Sequence, residues 1–325
     1  MNPTISLVIA NHNYGRFLPQ CLDSVLKQTR VPHEIIVVDD GSTDDSRAVL
    51  NAYRGRVHAI FQENQGQAAA LNHGVRASNG DLIFFLDSDD GWYPNKVERV
   101  LATMKAHPQA GWLRHKLAMV DEWLKPMGPV SPHYRGSRSV APDPRLLLER
   151  RVTAGTSIVI RREAATQAFP LTTSRDFAFD ADAILLARLF RARVPGYSLD
   201  QVLGYYRRHE GQRYVGPQDL GRLLHRELAV GDAIANVLGH EPRSSNAFKL
   251  RVVLAAMAGS RWWQPDRRNN LMRGLAASGQ LWSRPALCAR QTAALLFAYT
   301  APRSWLEKLE RTQAFASSSP TAHPH

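Results

Sequence analysis

Two short apolar runs in the first 90 residues each end in a group of carboxylates, and this feature most constrains the fold. The runs cover residues 34–38 and 82–86, and they are followed by Asp39-Asp40-Gly41-Ser42 and Asp87-Ser88-Asp89-Asp90. Continuous apolar runs of this length are typical of strands that a parallel sheet buries on both faces. Because open α/β sheets bind ligands at the carboxyl ends of their strands, the acidic groups predict a ligand site at that edge.

The segments around these runs alternate between strand and helix patterns. Residues 5–10 form a third apolar run, and residues 17–29 carry apolar side chains at helical spacing. Residues 42–45 resemble a capping box that opens a helix running to about Tyr53, and residues 94–96 mark another helix start. Strand and helix in turn predict an α/β fold with a mainly parallel sheet flanked by helices.

The later sequence divides the chain further. Residues 155–160 predict a strand that joins a first half, 1–110, to a second half, 111–215, of one sheet domain. From residue 216 to 313, helical stretches separated by Gly, Pro and Ser predict a helical C-terminal extension. Residues 314–325 predict a disordered tail.

Charge is distributed unevenly along the chain. Residues 1–110 carry ten Lys and Arg against twelve Asp and Glu, whereas residues 111–325 carry 31 against 17. Such a basic excess suits an anionic membrane surface, an acidic acceptor or nucleic acid. Because no nucleic-acid recognition motif accompanies it, a nucleic-acid partner is not expected. The basic helices with Trp262 and Trp263 predict peripheral contact with an anionic membrane; the alternative is packing on the sheet domain or in a homo-oligomer.

Cysteine usage and the amino terminus indicate a cytoplasmic location. Cys21 and Cys288 are far apart and match no metal-binding or redox spacing, which predicts reduced, buried thiols. Residues 1–10 enter a strand directly, without the basic start and long apolar stretch of a secretory signal. The longest late apolar run, 293–299, is much shorter than the roughly 20 residues that span a bilayer.

The second acidic group predicts a metal site. Asp87 and Asp89 flank one residue, so both carboxylates can face one pocket and supply oxygen ligands to Mn²⁺ or Mg²⁺. Asp39 or Asp40 can accept a hydrogen bond from a base or a ribose hydroxyl. A small-residue helix opening after Gly66 leaves backbone N–H groups near which a diphosphate or ribose can lie. The alternatives are a solvated turn, an N-cap and a tightly packed helix.

Four motifs in order resemble family 2 glycosyltransferases of GT-A fold. They are residues 6–14, 37–44, 64–66 with 71–72, and 86–92. The resemblance implies sugar transfer from a nucleotide-activated donor with inversion at the anomeric carbon. It covers residues 1–110 closely and continues more loosely to about residue 215.

The resemblance also implies roles for individual residues. The nucleotide-binding set would be Ala10, Asn13, Asp39, Asp40, Gly66, Asn72 and Asp87. Asp87 and Asp89 would form the Asp-x-Asp pair that bridges the ribose and a metal-bound diphosphate. We expect a UDP-sugar as donor, a glycan or lipid-linked hydroxyl as acceptor, and cell-surface polysaccharide assembly as the context.

Two later segments complete the expected site. Residues 174–189 resemble the acidic motif of the family at a helix start, which makes Asp182 the expected general base. Many relatives have Glu-Asp where this chain has Ala181-Asp182, so Asp180 remains the alternative base. His209, in a segment of Arg and His, is the expected third metal ligand, or it contacts the diphosphate together with Arg207 or Arg208.

Two other function classes make different demands on the sequence. A nicotinamide oxidoreductase needs a Gly-x-Gly-x-x-Gly turn after its first strand, and residues 11–15 read Asn-His-Asn-Tyr-Gly instead. A non-catalytic nucleotide- or glycan-binding module of the same fold remains the alternative, because the Glu of the base motif is absent. Metal-dependent turnover of the donor separates this alternative from a transferase.

Overall fold

The computed structural model describes residues 3–128, 136–142, 155–171 and 181–209, all within one compact unit. The predicted helical extension and tail lie outside the described residues, and so does Asp180. In the part that the structure describes, no helix is both long and apolar enough to cross a membrane.

One nine-stranded sheet with helices against it forms the described unit, in the strand order β3-β2-β1-β4-β8-β6-β9-β5 with β7 paired to β9. The strands are β1 (Ile5–Asn11), β2 (Glu34–Asp40), β3 (His58–Gln62), β4 (Leu82–Asp87), β5 (Gly91–Trp92), β6 (Trp112–Asp121), β7 (Arg138–Val140), β8 (Ile158–Arg161) and β9 (Gly196–Arg208). The helices are α1 (Leu18–Leu26), α2 (Ser46–Ala52), α3 (Gln67–Ala77), α4 (Lys96–Ala106), α5 (Arg162–Ala168) and α6 (Ala181–Arg191). The predicted α/β fold is confirmed.

The three apolar runs form adjacent parallel strands, as predicted. β2 and β4 pair with the two sides of β1, and β3 extends the parallel half beyond β2. Residues 35–38 and 82–86 are all buried. Burial on both faces explains why these strands are apolar throughout rather than at alternate positions.

The second half of the sheet adds antiparallel pairs. β8 runs antiparallel to both β4 and β6, so it joins the two halves where a strand is predicted. β6 and β9 are parallel, whereas β5 and β7 pair with β9 in antiparallel orientation. Strand direction depends on how the chain crosses the sheet rather than on the strand's own sequence, so the apolar runs could not reveal these reversals.

The start of α2 corrects the predicted capping box. The helix begins at Ser46, four residues after the predicted cap at Ser42. Asp44 Oδ1 instead accepts hydrogen bonds from Ser46 N at 3.0 Å and Ser46 Oγ at 2.5 Å. Asp44 Oδ2 accepts one from Gly15 N at 2.8 Å. The side chain of Asp44 therefore links this loop to the loop after β1. The residues of the predicted capping box make a tertiary contact here and do not begin the helix.

Helix α3 packs very closely on the sheet. A Cβ atom on Gly74 would lie 2.3 Å from Val8 Cγ1 and 3.3 Å from Val38 Cγ2. Val8 and Val38 are fully buried, and a β-branched side chain at such a position cannot move aside easily. The close approach fixes the helix over β1 and β2.

Gly74→Ala is expected to destabilise the protein by about 1–3 kcal/mol, because the added methyl group overpacks the helix–sheet contact. Helix propensity alone predicts the opposite sign, since Ala is favoured over Gly inside a helix by about 1 kcal/mol. Urea unfolding at equilibrium measures the difference. Exposed Arg76→Ala on the same helix is the control, expected within about 0.5 kcal/mol of the wild type. An unchanged or increased stability of Gly74→Ala would contradict the packing argument.

Candidate functional site

The carboxyl ends of β1, β2 and β4 meet at one edge of the sheet. In the register of these strands, Asn11 lies beside Asp39 and Ala10 lies beside Asp87. Asp40 ends β2 one residue further on. Ala10 and the three carboxylates thus lie together at the edge where a ligand site is predicted.

Asp39 is buried and holds two loops together. Its Oδ2 accepts a hydrogen bond from Asn11 Nδ2 at 2.8 Å, and its Oδ1 accepts one from Ser42 N at 3.0 Å. Asn11 Oδ1 is buried without a hydrogen-bond partner beside this contact. Asp39 therefore stabilises the turn after β2. The sequence predicts the same carboxylate as a contact of the nucleotide.

Asp40 is also buried and binds the chain before α3. Its Oδ1 accepts hydrogen bonds from Gln62 Nε2 and Gln65 N, both at 2.8 Å, and its Oδ2 accepts one from Gly66 N at 2.8 Å. Gly66 has φ = 91° at the N-terminal cap of α3, a conformation that favours glycine. Since a carboxylate offers about four acceptor positions, three contacts leave Asp40 little capacity for a further ligand.

Asn13 and Asn72 both join segments that are distant in sequence. Asn13 lies in the left-handed region, with φ = 58°, and its Oδ1 accepts a hydrogen bond from Thr43 N at 2.7 Å. Asn72 Nδ2 donates to Leu171 O at 2.9 Å, and Leu171 N donates to Asn72 Oδ1 at 2.6 Å. Asn13 is exposed at the ligand edge, whereas the amide of Asn72 fastens α3 to the chain after α5.

Asp87 lies between α3 and the segment before β8. Gln67 Nε2 donates to Asp87 Oδ1 at 3.0 Å, and Asp87 N donates to Thr156 Oγ1 at 3.1 Å. Gly155 has no side chain to cover this carboxylate, because a Cβ there would lie 3.6 Å from Asp87 Oδ1. Asp87 is the partly exposed carboxylate of its turn.

Asp90 is fully buried and anchors the turn from behind. Thr156 Oγ1 donates to its Oδ2 at 2.5 Å, and Arg207 N donates to its Oδ1 at 2.9 Å. Arg207 Nε donates to Asp89 O at 2.8 Å. These contacts fix the acidic turn between β8 and β9, so Asp90 supports the shape of the turn.

Asp89 and His209, two of the predicted metal ligands, lie close together. Asp89 Oδ2 lies 3.2 Å from His209 Nε2, although the residues are 120 positions apart in the chain. On the other side of the ring, Arg16 Nη2 lies 3.4 Å from His209 Nδ1. The Phe17 ring, with its centroid 4.4 Å from that of His209, packs against the imidazole.

Crowding of carboxylates governs the electrostatics of the turn. Burial raises the pKa of Asp87 to about 7, and the charge of Asp89 adds to the shift. Burial, with the charges of Asp89 and Asp87, also raises the pKa of Asp90 well above its usual value. Full ionisation of the turn is therefore unfavourable in its own surroundings, and a bound cation would offset the repulsion between the carboxylates.

A buried lysine lies behind the turn. Lys96 is fully buried, its Nζ donates to Thr156 O at 2.7 Å, and it lies 4.0 Å from the centroid of the Trp92 ring. Burial lowers the pKa of Lys96 well below its ordinary value, while the charges of Asp90 and Asp87 oppose that shift. Its contact with the Thr156 carbonyl helps to hold the hydroxyl that binds the acidic turn.

Asp182 lies in the first turn of α6, where its Oδ1 accepts a hydrogen bond from Ala183 N at 2.9 Å. Asp182 and the acidic turn both influence the side chain of Tyr206. Burial raises the pKa of Tyr206 first, followed by the charges of Asp90, Asp89, Asp87 and Asp182. Asp182 therefore acts electrostatically on the same phenol as the acidic turn does.

Within the described ranges, no group of three or more His, Cys, Asp or Glu side chains is assembled at metal-binding spacing. The donor types nevertheless fit a divalent cation, since an Asp oxygen and a His nitrogen lie side by side next to an acidic turn. The carboxylate of Asp87 accepts hydrogen bonds from Gln67 Nε2 and Thr156 Oγ1. A cation at Asp89 and His209 would need further oxygen ligands, such as phosphate oxygens.

Sequence reasoning missed several residues of this site. Thr156 lies just before β8 and Lys96 lies in α4, and neither residue type marks a functional site in a sequence. Only the pairing of β4 with β8 brings them to the turn. Arg207, which the sequence offers with Arg208 as an alternative contact of the diphosphate, is only 2 % exposed and donates to main-chain oxygens. Arg16 follows the first motif after one residue, Gly15, and no pattern in the sequence marks it.

Comparisons with known proteins agree with the geometry. The sequence profile described as "Glycosyl transferase family 2" matches residues 6–169, half of the chain. An uncharacterized glycosyltransferase of Nostoc sp. is 31% identical over 221 residues, covering 65% of this chain and 66% of the relative. A putative teichuronic acid biosynthesis glycosyltransferase, TuaG of Bacillus subtilis, is 36% identical over 106 residues, covering 31% of this chain and 42% of the relative.

A solved structure shares the fold. The crystal structure of S. aureus TarS 1-349 in complex with UDP-GlcNAc superposes with a TM-score of 0.61 and 18% identity, over 95% of this chain and 92% of that one. The family profile spans the parallel strands and the acidic turn described above. The chain belongs to glycosyltransferase family 2.

Proposed function

We propose that the chain is an inverting glycosyltransferase. It moves a sugar from a nucleoside-diphosphate sugar, with UDP as the nucleotide, to a hydroxyl group of a glycan or lipid-linked acceptor. Mn²⁺ or Mg²⁺ takes part, and Asp182 is the general base. The catalytic domain covers residues 1–215, with the nucleotide in the half formed by residues 1–110.

The pairing of Asp89 with His209 carries this proposal. A buried carboxylate from the end of a central strand meets a buried imidazole from the far end of the sheet, at 3.2 Å. Because Asp89 and His209 are far apart in the chain, their contact does not arise from a local sequence motif. The pair offers oxygen and nitrogen to a divalent cation at the edge where open α/β sheets bind ligands.

Ala10, Asn13, Asp39, Asp40, Gly66 and Asn72 form the proposed nucleotide-binding set with Asp87. In that set, Asp39 and Asp40 shape the pocket by binding the loops after β1 and before α3. Asp87 is partly exposed, and in this proposal its carboxylate accepts a hydrogen bond from a ribose hydroxyl. UDP-GlcNAc in the S. aureus TarS structure supports UDP as the first nucleotide to test.

Asp89 and His209 would hold the cation, with phosphate oxygens completing its ligands. When bound, a divalent cation supplies a Lewis acid that neutralises charge on the departing diphosphate, an effect of several kcal/mol. Arg207 holds the main chain of the acidic turn in place through Asp89 O. Fixed ligand positions reduce the reorganisation that transfer requires.

Asp182 would remove the acceptor proton on the opposite face of the sugar. As the acceptor oxygen bonds to the anomeric carbon, the bond from that carbon to the diphosphate oxygen breaks, and the proton passes to the carboxylate. The bonding electrons leave with the nucleoside diphosphate. Attack opposite the leaving group inverts the anomeric carbon, and such a base typically supplies on the order of 10²–10⁴ in rate. Asp180 is the alternative base.

Cell-surface polysaccharide assembly is the proposed context. TuaG of Bacillus subtilis carries teichuronic acid biosynthesis in its name, and it is a partial match to this chain. The basic second part of the chain suits peripheral contact with the anionic inner face of a membrane, where lipid-linked acceptors lie. A cytoplasmic protein with this contact is what we propose.

Calorimetric titration with UDP, GDP, dTDP and CDP tests the function. Tight, Mn²⁺-dependent binding of one nucleotide, lost in excess chelator, is expected, because phosphate oxygens and the Asp89–His209 pair share the cation. Slow release of UDP from UDP-GlcNAc should accompany it when UDP is that nucleotide. Binding without turnover of the matching donor would instead favour a non-catalytic module. Binding of none of the four nucleotides would contradict the proposal.

A further inference from the structure

We propose that Arg16 binds the diphosphate of the nucleotide-sugar donor and that Glu122 holds its guanidinium when no donor is present. This assignment rests on the proposed function and adds a specific residue to it. Arg16 lies in the segment between β1 and α1, next to the edge where the acidic turn ends.

Arg16 presents a positive charge beside the proposed cation ligands. Its Nη2 is 3.4 Å from His209 Nδ1, and the other nitrogen of that ring faces Asp89 Oδ2 at 3.2 Å. Its side chain remains 58% exposed, so the guanidinium is open to solvent on one side. A diphosphate that reaches a cation at Asp89 and His209 comes within reach of this guanidinium.

An aromatic ring positions the guanidinium. Arg16 Cζ lies 4.3 Å from the centroid of the Phe17 ring, and the same ring contacts His209 with centroids 4.4 Å apart. Phe17 is buried. Stacking on a fixed ring reduces the conformational freedom that Arg16 must lose on binding an anion.

Arg207 and Arg208 are poorer candidates for the same contact. The Arg207 side chain donates to Asp89 O, Glu122 O and Gln20 Oε1, and the residue is 2 % exposed. Arg208 is exposed, but successive residues of a strand point to opposite faces, so it lies on the other face of β9 from Arg207. Of these three arginines, Arg16 is therefore the one that combines exposure with proximity to the Asp89–His209 pair.

Glu122 forms an ion pair with Arg16. Its Oε2 lies 3.7 Å from Arg16 Nη1, and its side chain is 32% exposed. An ion pair of this length between partly exposed groups is weak. A diphosphate carries more negative charge and can accept two parallel N–H bonds, so it can replace Glu122 as the partner of Arg16.

If the diphosphate replaces Glu122 as the partner of Arg16, substitutions of Arg16 and of Glu122 should have opposite effects on donor binding. If Arg16 serves the diphosphate, removing its charge weakens donor binding, whereas removing the competing charge of Glu122 strengthens it. If the pair is only a structural contact, both substitutions break the same contact and act in the same direction. Opposite signs therefore distinguish ligand binding from structure.

Titration of the full chain with UDP and with uridine, in Mn²⁺ at fixed salt, tests the assignment. Arg16→Gln should raise the Kd for UDP roughly tenfold, the factor expected for a lost charge-assisted hydrogen bond, and leave uridine within about twofold. Arg16→Lys should recover part of the loss. Glu122→Gln should lower the Kd for UDP.

Arg56→Gln is the matched control, because Arg56 also stacks on a ring, with Cζ 4.5 Å from the Tyr53 centroid, but before β3 at the amino-terminal edge. It should bind UDP like the wild type. An unchanged Kd for UDP in Arg16→Gln, or the same direction of change in Glu122→Gln, would overturn the assignment while wild-type binding upheld the proposed function. No nucleotide binding by the wild type would overturn both.

Discussion

Asp89→Asn is expected to lower kcat/KM for sugar transfer by roughly a thousandfold or more. The substitution keeps the size of the side chain but removes the charge that faces His209 Nε2 at 3.2 Å. Loss of the cation's effect on the departing diphosphate amounts to several kcal/mol, and each 1.36 kcal/mol is a factor of ten in rate. The main-chain contact of Asp89 O with Arg207 does not depend on the side chain, so the turn should keep its shape.

Two measurements check this expectation. UDP release from UDP-GlcNAc gives the rate, and calorimetry with Mn²⁺ and with chelator gives the part of the UDP affinity that depends on the cation. Asp81→Asn is the control: Asp81 immediately precedes β4, binds Thr4 at the opposite edge and is exposed. A variant Asp89→Asn with kcat/KM within about threefold of the wild type, and unchanged chelator-sensitive binding, would remove Asp89 from the site.

Asp182→Asn is expected to reduce kcat by about 10²–10⁴ while the Kd for UDP stays close to the wild-type value. A general base acts on the acceptor proton in the transition state, and its loss typically costs this factor. The residue is in the first turn of α6, where its Oδ1 accepts a hydrogen bond from Ala183 N. An amide oxygen can also accept this bond, so Asn should keep it.

The separation of kcat from nucleotide affinity makes this test specific. A structural defect would weaken UDP binding together with turnover, whereas loss of the base leaves binding intact. Asp180→Asn is the matched comparison, since Asp180 is the alternative base. Full activity in Asp182→Asn with loss in Asp180→Asn would move the base to Asp180, and full activity in both would exclude each of them.

The acidic turn shows how much of this site is supporting structure. Asp90 is bound by Thr156 Oγ1 and by Arg207 N, and Lys96 binds the carbonyl of Thr156. These buried groups come from three separate parts of the chain. They hold Asp87 and Asp89 in one turn despite their repulsion. Burial raises the pKa of Asp87, and the charge of Asp89 adds to the shift. Fixed, crowded carboxylates are suited to a cation that arrives with its own phosphate ligands.

Sequence patterns predicted the parallel strands because their signals are local. Each of the runs 5–10, 34–38 and 82–86 is nearly continuous in apolar residues, and the turn residues that follow are polar. The same reasoning located the start of α4 after Pro94. It failed at Ser42, where the capping pattern serves the contact of Asp44 with Gly15 instead of a helix start. The sequence does not show whether such a side chain forms a local hydrogen bond or one to a distant part of the chain.

By itself, the sequence determined the α/β class, the mainly parallel sheet of the first half and the acidic groups that follow two of its strands. Only the tertiary structure decided which side chains meet: that Asp89 pairs with His209 120 residues away, that Arg207 is buried behind the turn, and that Asn72 binds Leu171. The physical reason is that periodicity and turn chemistry depend on neighbours in the chain. Contacts across a sheet depend instead on strand order and direction, and those follow from how the whole chain buries its apolar surface.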